Sequence, residues 1–162
     1  MPMRIAFVNQ PIDCFLPPIQ NSLGACTYGL ARQLEEFAEV TAYGMRGDQA
    51  HPGVPDELVV EGLRCRFTDA PITDRALERF APRLSPWMRP FNHGFTPPFS
   101  SSRLNFPSYT RKVARTVARG PHDLVHIQHD TQFVPAIKAA NPSMPVVLQL
   151  QAELFPDRKS VV

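Results

Sequence analysis

The sequence predicts an α/β fold: a parallel sheet of about five or more strands with helices on both faces, plus one irregular Pro/Phe-rich insert. Three observations carry that reading. Short apolar runs of strand length recur at Arg4–Val8, Val40–Tyr43, Leu63–Phe67, Asp123–Gln128 and Pro145–Leu150. Helical apolar spacing fills most of the intervals, and helix crossovers between successive strands make those strands parallel. From about Ala70 to Pro107 the rhythm breaks, with seven prolines, five phenylalanines and Trp87.

Each element has its own justification. Arg4–Val8 reads as a buried strand closed by a turn at Pro11, and Pro11, Pro17 and Pro18 make Asn9–Leu23 an irregular loop. Cys26, Leu30, Leu34, Phe37 and Ala38 then fall three or four apart, opposite Arg32, Gln33, Glu35 and Glu36, as in an amphipathic helix. Val40–Tyr43 is a second strand ended by Gly44. Polar, Gly/Pro-containing chain follows to Glu61, and Leu63–Phe67 alternates as a third strand. A short helix is expected over 74–80, and prolines exclude any long regular element in the rest of the insert. Ser108 is placed to cap a helix reaching Arg119, with Tyr109, Val113 and Val117 on one stripe and Gly120-Pro121 at its end. Asp123–Gln128 is the fourth strand. Asp130 or Thr131 caps a helix carrying Phe133, Val134 and Ile137, and Pro145–Leu150 is the fifth strand.

Composition sets outer bounds. The 162 residues, 43% hydrophobic and 20% charged, suit one soluble domain with a true core. The first apolar run is too short for a signal peptide and no stretch is long enough to span a bilayer, which points to a cytoplasmic protein. Cys14, Cys26 and Cys65 have no disulfide or zinc spacing and read as scattered, mostly buried thiols. Nine of the 17 basic residues fall between Arg75 and Arg119, where Glu78 is the sole acid. That asymmetry suits either an anionic partner or a solvated Arg-rich face.

Ligands of open parallel sheets bind beyond the carboxyl ends of the strands. Polar clusters fall at three such ends: Asn9-Gln10, His126 to Asp130, and Gln151 to Glu153. His129 and Asp130 have two roles open to them, acid–base or hydrogen-bonding groups of a site, or a helix cap beside a satisfied histidine. His126 lies within its strand and reads as a core or sheet-face residue. Gly24 heads the first long helix, where it either admits a phosphate or simply makes a turn. The phosphate-binding glycine patterns of NAD-type and P-loop proteins are not in the sequence, and no ligand spacing supports a metal.

These segments together resemble the opening of GT-B glycosyltransferases. The residues are Arg4–Val8, the helix-heading glycine, Leu30–Leu34, Glu39–Tyr43, and above all Asp123-Leu-Val-His-Ile-Gln-His-Asp130. That last segment is similar to the Asp-Val-Val-His-hydrophobic-Gln-His-Glu pattern of the large retaining bacterial family, the family-four type. Val146–Gln151 follows that family's fifth strand except at the last position, where the family has histidine and this chain has Gln151. The resemblance covers the chain outside the insert at about 70–107.

The resemblance implies a Rossmann-like domain over 1–162, the acceptor-side half of an enzyme moving sugar from a nucleotide-sugar to a glycan, lipid-linked or small-molecule acceptor with retention. No tightly bound cofactor or metal is implied. His129, Asp130 and Gln151 would line the cleft, with Gly24 near the donor phosphates and Glu153 beside them. The donor-binding domain would lie outside this chain, as its continuation or as a partner subunit, and the isolated chain would then be inactive. The Arg/Phe-rich insert would meet an anionic membrane surface or a lipid-linked acceptor, making the protein peripheral at the inner membrane face; nucleic acid is not an expected partner. A second reading is a non-catalytic Rossmann-like binding domain. It draws on Gln151, which cannot titrate near neutral pH, and predicts self-association through the exposed cleft face. A flavodoxin-like or receiver-type domain would need a carboxylate where Asn9-Gln10 stands.

Overall fold

The computed structural model describes residues 2–11, 13–19, 22–46, 51–69, 71–74 and 106–150. Along the chain run β1 (Met3–Val8), α1 (Ser22–Leu34), β2 (Ala38–Arg46), β3 (Glu57–Val60), β4 (Leu63–Asp69), α2 (Pro107–Arg119), β5 (Leu124–Gln128), α3 (Phe133–Ala140) and β6 (Val146–Gln149). The six strands form one sheet in the order β3-β4-β2-β1-β5-β6, parallel except for β3. This is a Rossmann-like fold.

β1 lies at the centre, between β2 and β5. Ile5 to Val8 are buried on both faces, which is why that strand is apolar without alternation. Its side chains divide between two cores. Ala6 and Val8 pack with Tyr109, Val113, Val117, Phe133 and Ile137 under α2 and α3. Phe7 packs with Ala31, Val40, Ala42, Leu63, Cys65 and Phe67 on the α1 side.

Four local readings of the sequence are corrected. The segment before Glu61 contains a strand: β3 turns back onto β4 through Glu61 and Gly62, with φ of 50° and 101°. Such a two-residue turn, with both φ positive, matches the twist of a hairpin. In α1 the fully buried positions are Gly24, Thr27 and Ala31, whereas Leu30 and Leu34 are half-buried and Cys26 is exposed. Small residues let this helix lie close on the sheet. The helix ends at Leu34, so Phe37 falls off the stripe and is 77% exposed. The thiols accordingly divide, with Cys65 buried, Cys14 half-buried and Cys26 exposed.

The fourth correction concerns the start of α2. Ser108 does not cap it. The carboxylate of Asp74, buried and distant in sequence, accepts from the Ser108 and Tyr109 amides at 3.1 and 2.7 Å. An anion at a helix N-terminus satisfies orphan N–H groups and favours the helix dipole. Pro107 fits the first turn, where no amide proton is required. Ile72–Asp74 form a helical turn at the start of the helix expected over 74–80; nearly all of that helix and of the 70–107 insert lies outside the described residues.

Candidate functional site

From β1 the chain proceeds through α1 to β2 on one side, while β5 is added on the other. The carboxyl ends of β1 and β5 therefore flank the switch point of the sheet, where helices depart to opposite faces and leave a crevice. Polar residues that are almost completely buried gather there: Asn9, Gln10 and Asp13 after β1, Thr27 from α1, and Gln128, His129 and Asp130 at the end of β5.

The β1 side is tightly organised. The Asn9 amide of the side chain donates to the Asp13 carbonyl at 3.2 Å, and its Oδ1 accepts from the Thr27 hydroxyl at 3.4 Å. Gln10 Nε2 donates to the Asp13 carboxylate. The second turn of α1, just after buried Gly24, is thereby tied to the end of β1. Phe15 anchors the loop that carries Asp13. Its ring stacks on Phe67 at 5.8 Å and meets His51 edge-on at 4.9 Å, and its amide donates to His51 Nε2 at 3.2 Å. His51 Nδ1 lies 2.9 Å from the Met45 carbonyl, so the ring is neutral, with its proton on Nδ1. Burial accordingly pushes the His51 pKa down. Gly44 makes room for this anchor, because a Cβ there would lie 2.6 Å from Phe15.

On the β5 side, Gln128 Nε2 donates to Gln149 Oε1 at 3.1 Å and joins the ends of β5 and β6. His129 follows in the left-handed region, φ 61°, and its amide donates to the Gln149 carbonyl at 2.9 Å. This backbone turn sends the chain off the sheet into α3. Neither Asp130 nor Thr131 caps α3: its N-cap position is Gln132, without a side-chain cap bond, and Asp130 Oδ1 accepts from the Gln132 amide at 3.0 Å, so this carboxylate shapes the approach to the helix instead. His126 lies within β5, edge-on to the Phe7 ring at 4.7 Å, as expected for a sheet-face residue. Burial lowers its pKa.

Asp13 is the site residue that sequence reasoning missed. Burial raises its carboxyl pKa, while the Gln10 hydrogen bond and the charge of His129 act in the opposite direction. Asp13 and His129 are both buried, at the ends of the adjacent strands β1 and β5. No motif surrounds Asp13; its only signal was a carboxylate in the loop after strand one. A buried carboxyl with the side-chain amides of Asn9 and Gln10 adjacent can hydrogen-bond a hydroxylated ligand. Gln151 and Glu153 lie outside the described residues. Among the described residues no three His, Cys, Asp or Glu side chains group as metal ligands, and no helix is long and apolar enough to cross a membrane.

Fold and buried polar cluster together define an α/β protein with a Rossmann-like sheet and a polar switch point. Among solved structures, the chain is similar to an alpha,alpha-trehalose-phosphate synthase (UDP-forming) from Burkholderia vietnamiensis, at 13% identity and a TM-score of 0.50. The match covers 91% of this chain and 32% of that one, so this chain spans about a third of its length. At that identity the likeness is one of fold, and the fold is GT-B-like. No family model matches the sequence, and no curated protein matches it.

Proposed function

We propose that this chain is the acceptor-side half of a retaining glycosyltransferase of the GT-B, family-four type. It would help to move a sugar from a nucleotide-sugar donor to a glycan, lipid-linked or small-molecule acceptor. The observation that carries the reading is the convergence of Asn9, Gln10, Asp13 and His129 on the switch point of a GT-B-like sheet. In this reading Asp13 and His129 hold the acceptor hydroxyl by hydrogen bonds, and Asp130 keeps the His129 turn in place. Gln151 binds a sugar hydroxyl without moving a proton, and Gly24 and Glu153 lie towards the donor phosphates. The donor grip comes from a second domain, in continuation of this chain or on a partner subunit. The aromatic, basic insert adds contact with an anionic membrane surface.

The test is sugar transfer from a panel of nucleotide-sugars by the chain joined to its donor domain. Asp13→Asn and His129→Asn, the latter chosen because asparagine tolerates positive φ, should each lower turnover at least about tenfold, the loss of a hydrogen bond worth roughly 1.5 kcal/mol. Gln151→His should leave transfer undiminished. Full turnover in both the Asp13 and His129 variants would remove the proposed site, and no transfer with any donor would remove the reading.

A further inference from the structure

The Arg-rich stretch of the sequence has a described part that the switch-point crevice does not use. α2 buries Tyr109, Val113, Ala114 and Val117 and turns Arg111, Lys112, Arg115 and Arg119 to solvent. Among the described residues the ion pairs lie elsewhere, and none neutralises these four cations. Arg111, Arg115 and Arg119 recur every fourth residue, which sets them in a ridge with neighbours roughly 5–6 Å apart.

Beside the ridge, α2 and α3 enclose a groove of about 730 Å³. Its far wall is Pro135, Ala136, Ala139 and Ala140, small and apolar. Thr110 and Gln132 line it as well, and each keeps a buried side-chain polar atom without a hydrogen-bond partner among the described residues. One wall thus carries positive charge, and the other admits close approach of a backbone.

We infer that this groove docks an acidic helical segment of a partner protein. Carboxylates four residues apart on that segment meet the arginine ridge, and a stripe of small apolar side chains lies on the alanine wall. The concave shape favours such an occupant over a lipid surface, which is flat and would meet the arginines and Lys112 but leave the alanine wall empty. The neighbouring stretch of this chain does not supply the acids, since residues 75–105 add five arginines against Glu78 alone.

The probe is a fluorescent helical peptide with glutamates at three positions spaced four apart and alanines on the adjoining stripe. Its twin carries glutamine at the three positions. Anisotropy with the full chain should show binding of the glutamate peptide, at least tenfold weaker binding of the twin, and weakening with added salt. The exposed substitutions R111Q/R115Q/R119Q should leave the melting temperature unchanged and lower affinity at least tenfold. Ala139→Lys adds a cation but blocks the groove, so it should weaken peptide binding. Equal binding of both peptides, full affinity in the triple variant, or stronger binding by Ala139→Lys would overturn the inference. Binding to phosphatidylserine vesicles with none to the peptide would assign the ridge to a membrane instead and overturn it equally.

Discussion

Gly44→Ala tests whether the loop bearing Asp13 is held by the anchor described above. The new methyl carbon would stand 2.6 Å from Phe15 Cε1 and 3.2 Å from Phe67 Cε1. Carbon atoms in contact prefer roughly 3.5–4.0 Å, so the Phe15 ring must withdraw by about 1 Å. It has little room to do so, because it is stacked on Phe67, meets His51 on another side, and has its own amide bonded to that histidine. Overpacking of this kind costs about 1–3 kcal/mol, and the lower chain entropy of alanine returns about 0.5–1 kcal/mol. Taken at their midpoints these leave a net loss of about 1 kcal/mol, which for a chain of this size lowers the melting temperature by roughly 2–4 °C. Thermal unfolding followed by circular dichroism measures it. In a Phe15→Ala background, itself about 3–5 kcal/mol less stable, the same substitution should cost nothing, because the cavity accepts the methyl. An unchanged melting temperature in Gly44→Ala, or an equal cost in both backgrounds, would refute the anchor.

Asp74→Ala should destabilise the chain by about 1–2 kcal/mol, read as a lowered urea midpoint, since it leaves the Ser108 and Tyr109 amides without their acceptor. A midpoint equal to wild type would mean that α2 starts without that carboxylate. Burial lowers the pKa of His51, His122 and His126 below the ordinary 6.5. The unfolded chain therefore binds more protons than the folded one below pH 6.5, and stability, full above that value, should decline as pH falls from it. Asp13, raised above 3.8, contributes with the opposite sign in the more acidic range. Urea titrations from pH 7.5 to 5 should show the decline, and His51→Gln should flatten it; a flat wild-type profile would contradict the neutral His51. Burial pushes the Cys65 thiol up to about 12, whereas Cys26 is exposed. A thiol reagent followed by mass spectrometry should label Cys26 in the folded chain and Cys65 only on unfolding, and early labelling of Cys65 would contradict its burial.

What could be read from sequence was whatever depends on periodicity and punctuation. The apolar run Ile5–Val8, the crossovers, the Gly120-Pro121 stop and the sheet-face place of His126 follow from local pattern, because buried strands and amphipathic helices impose their periods on the chain. The rim was legible in outline, since strand ends are where an open parallel sheet binds. Asp74 was not legible as the cap of α2, nor Gly44 as the seat of Phe15, because each partnership joins residues far apart in sequence. β3 was hidden by its shortness and its edge position, where alternation is weak.

The α/β class and the segments that bear the polar rim could be read without coordinates, because element order and side-chain period are properties of the chain. Three-dimensional packing was needed to bury Asp13 and His129 at neighbouring strand ends, to set one oxygen of Asp130 on the entry to α3, and to form the arginine ridge of α2 beside an alanine wall. Those relations arise from the parallel sheet bringing distant strand ends together and from two helices packing on one of its faces, and neither is written in any local stretch of residues.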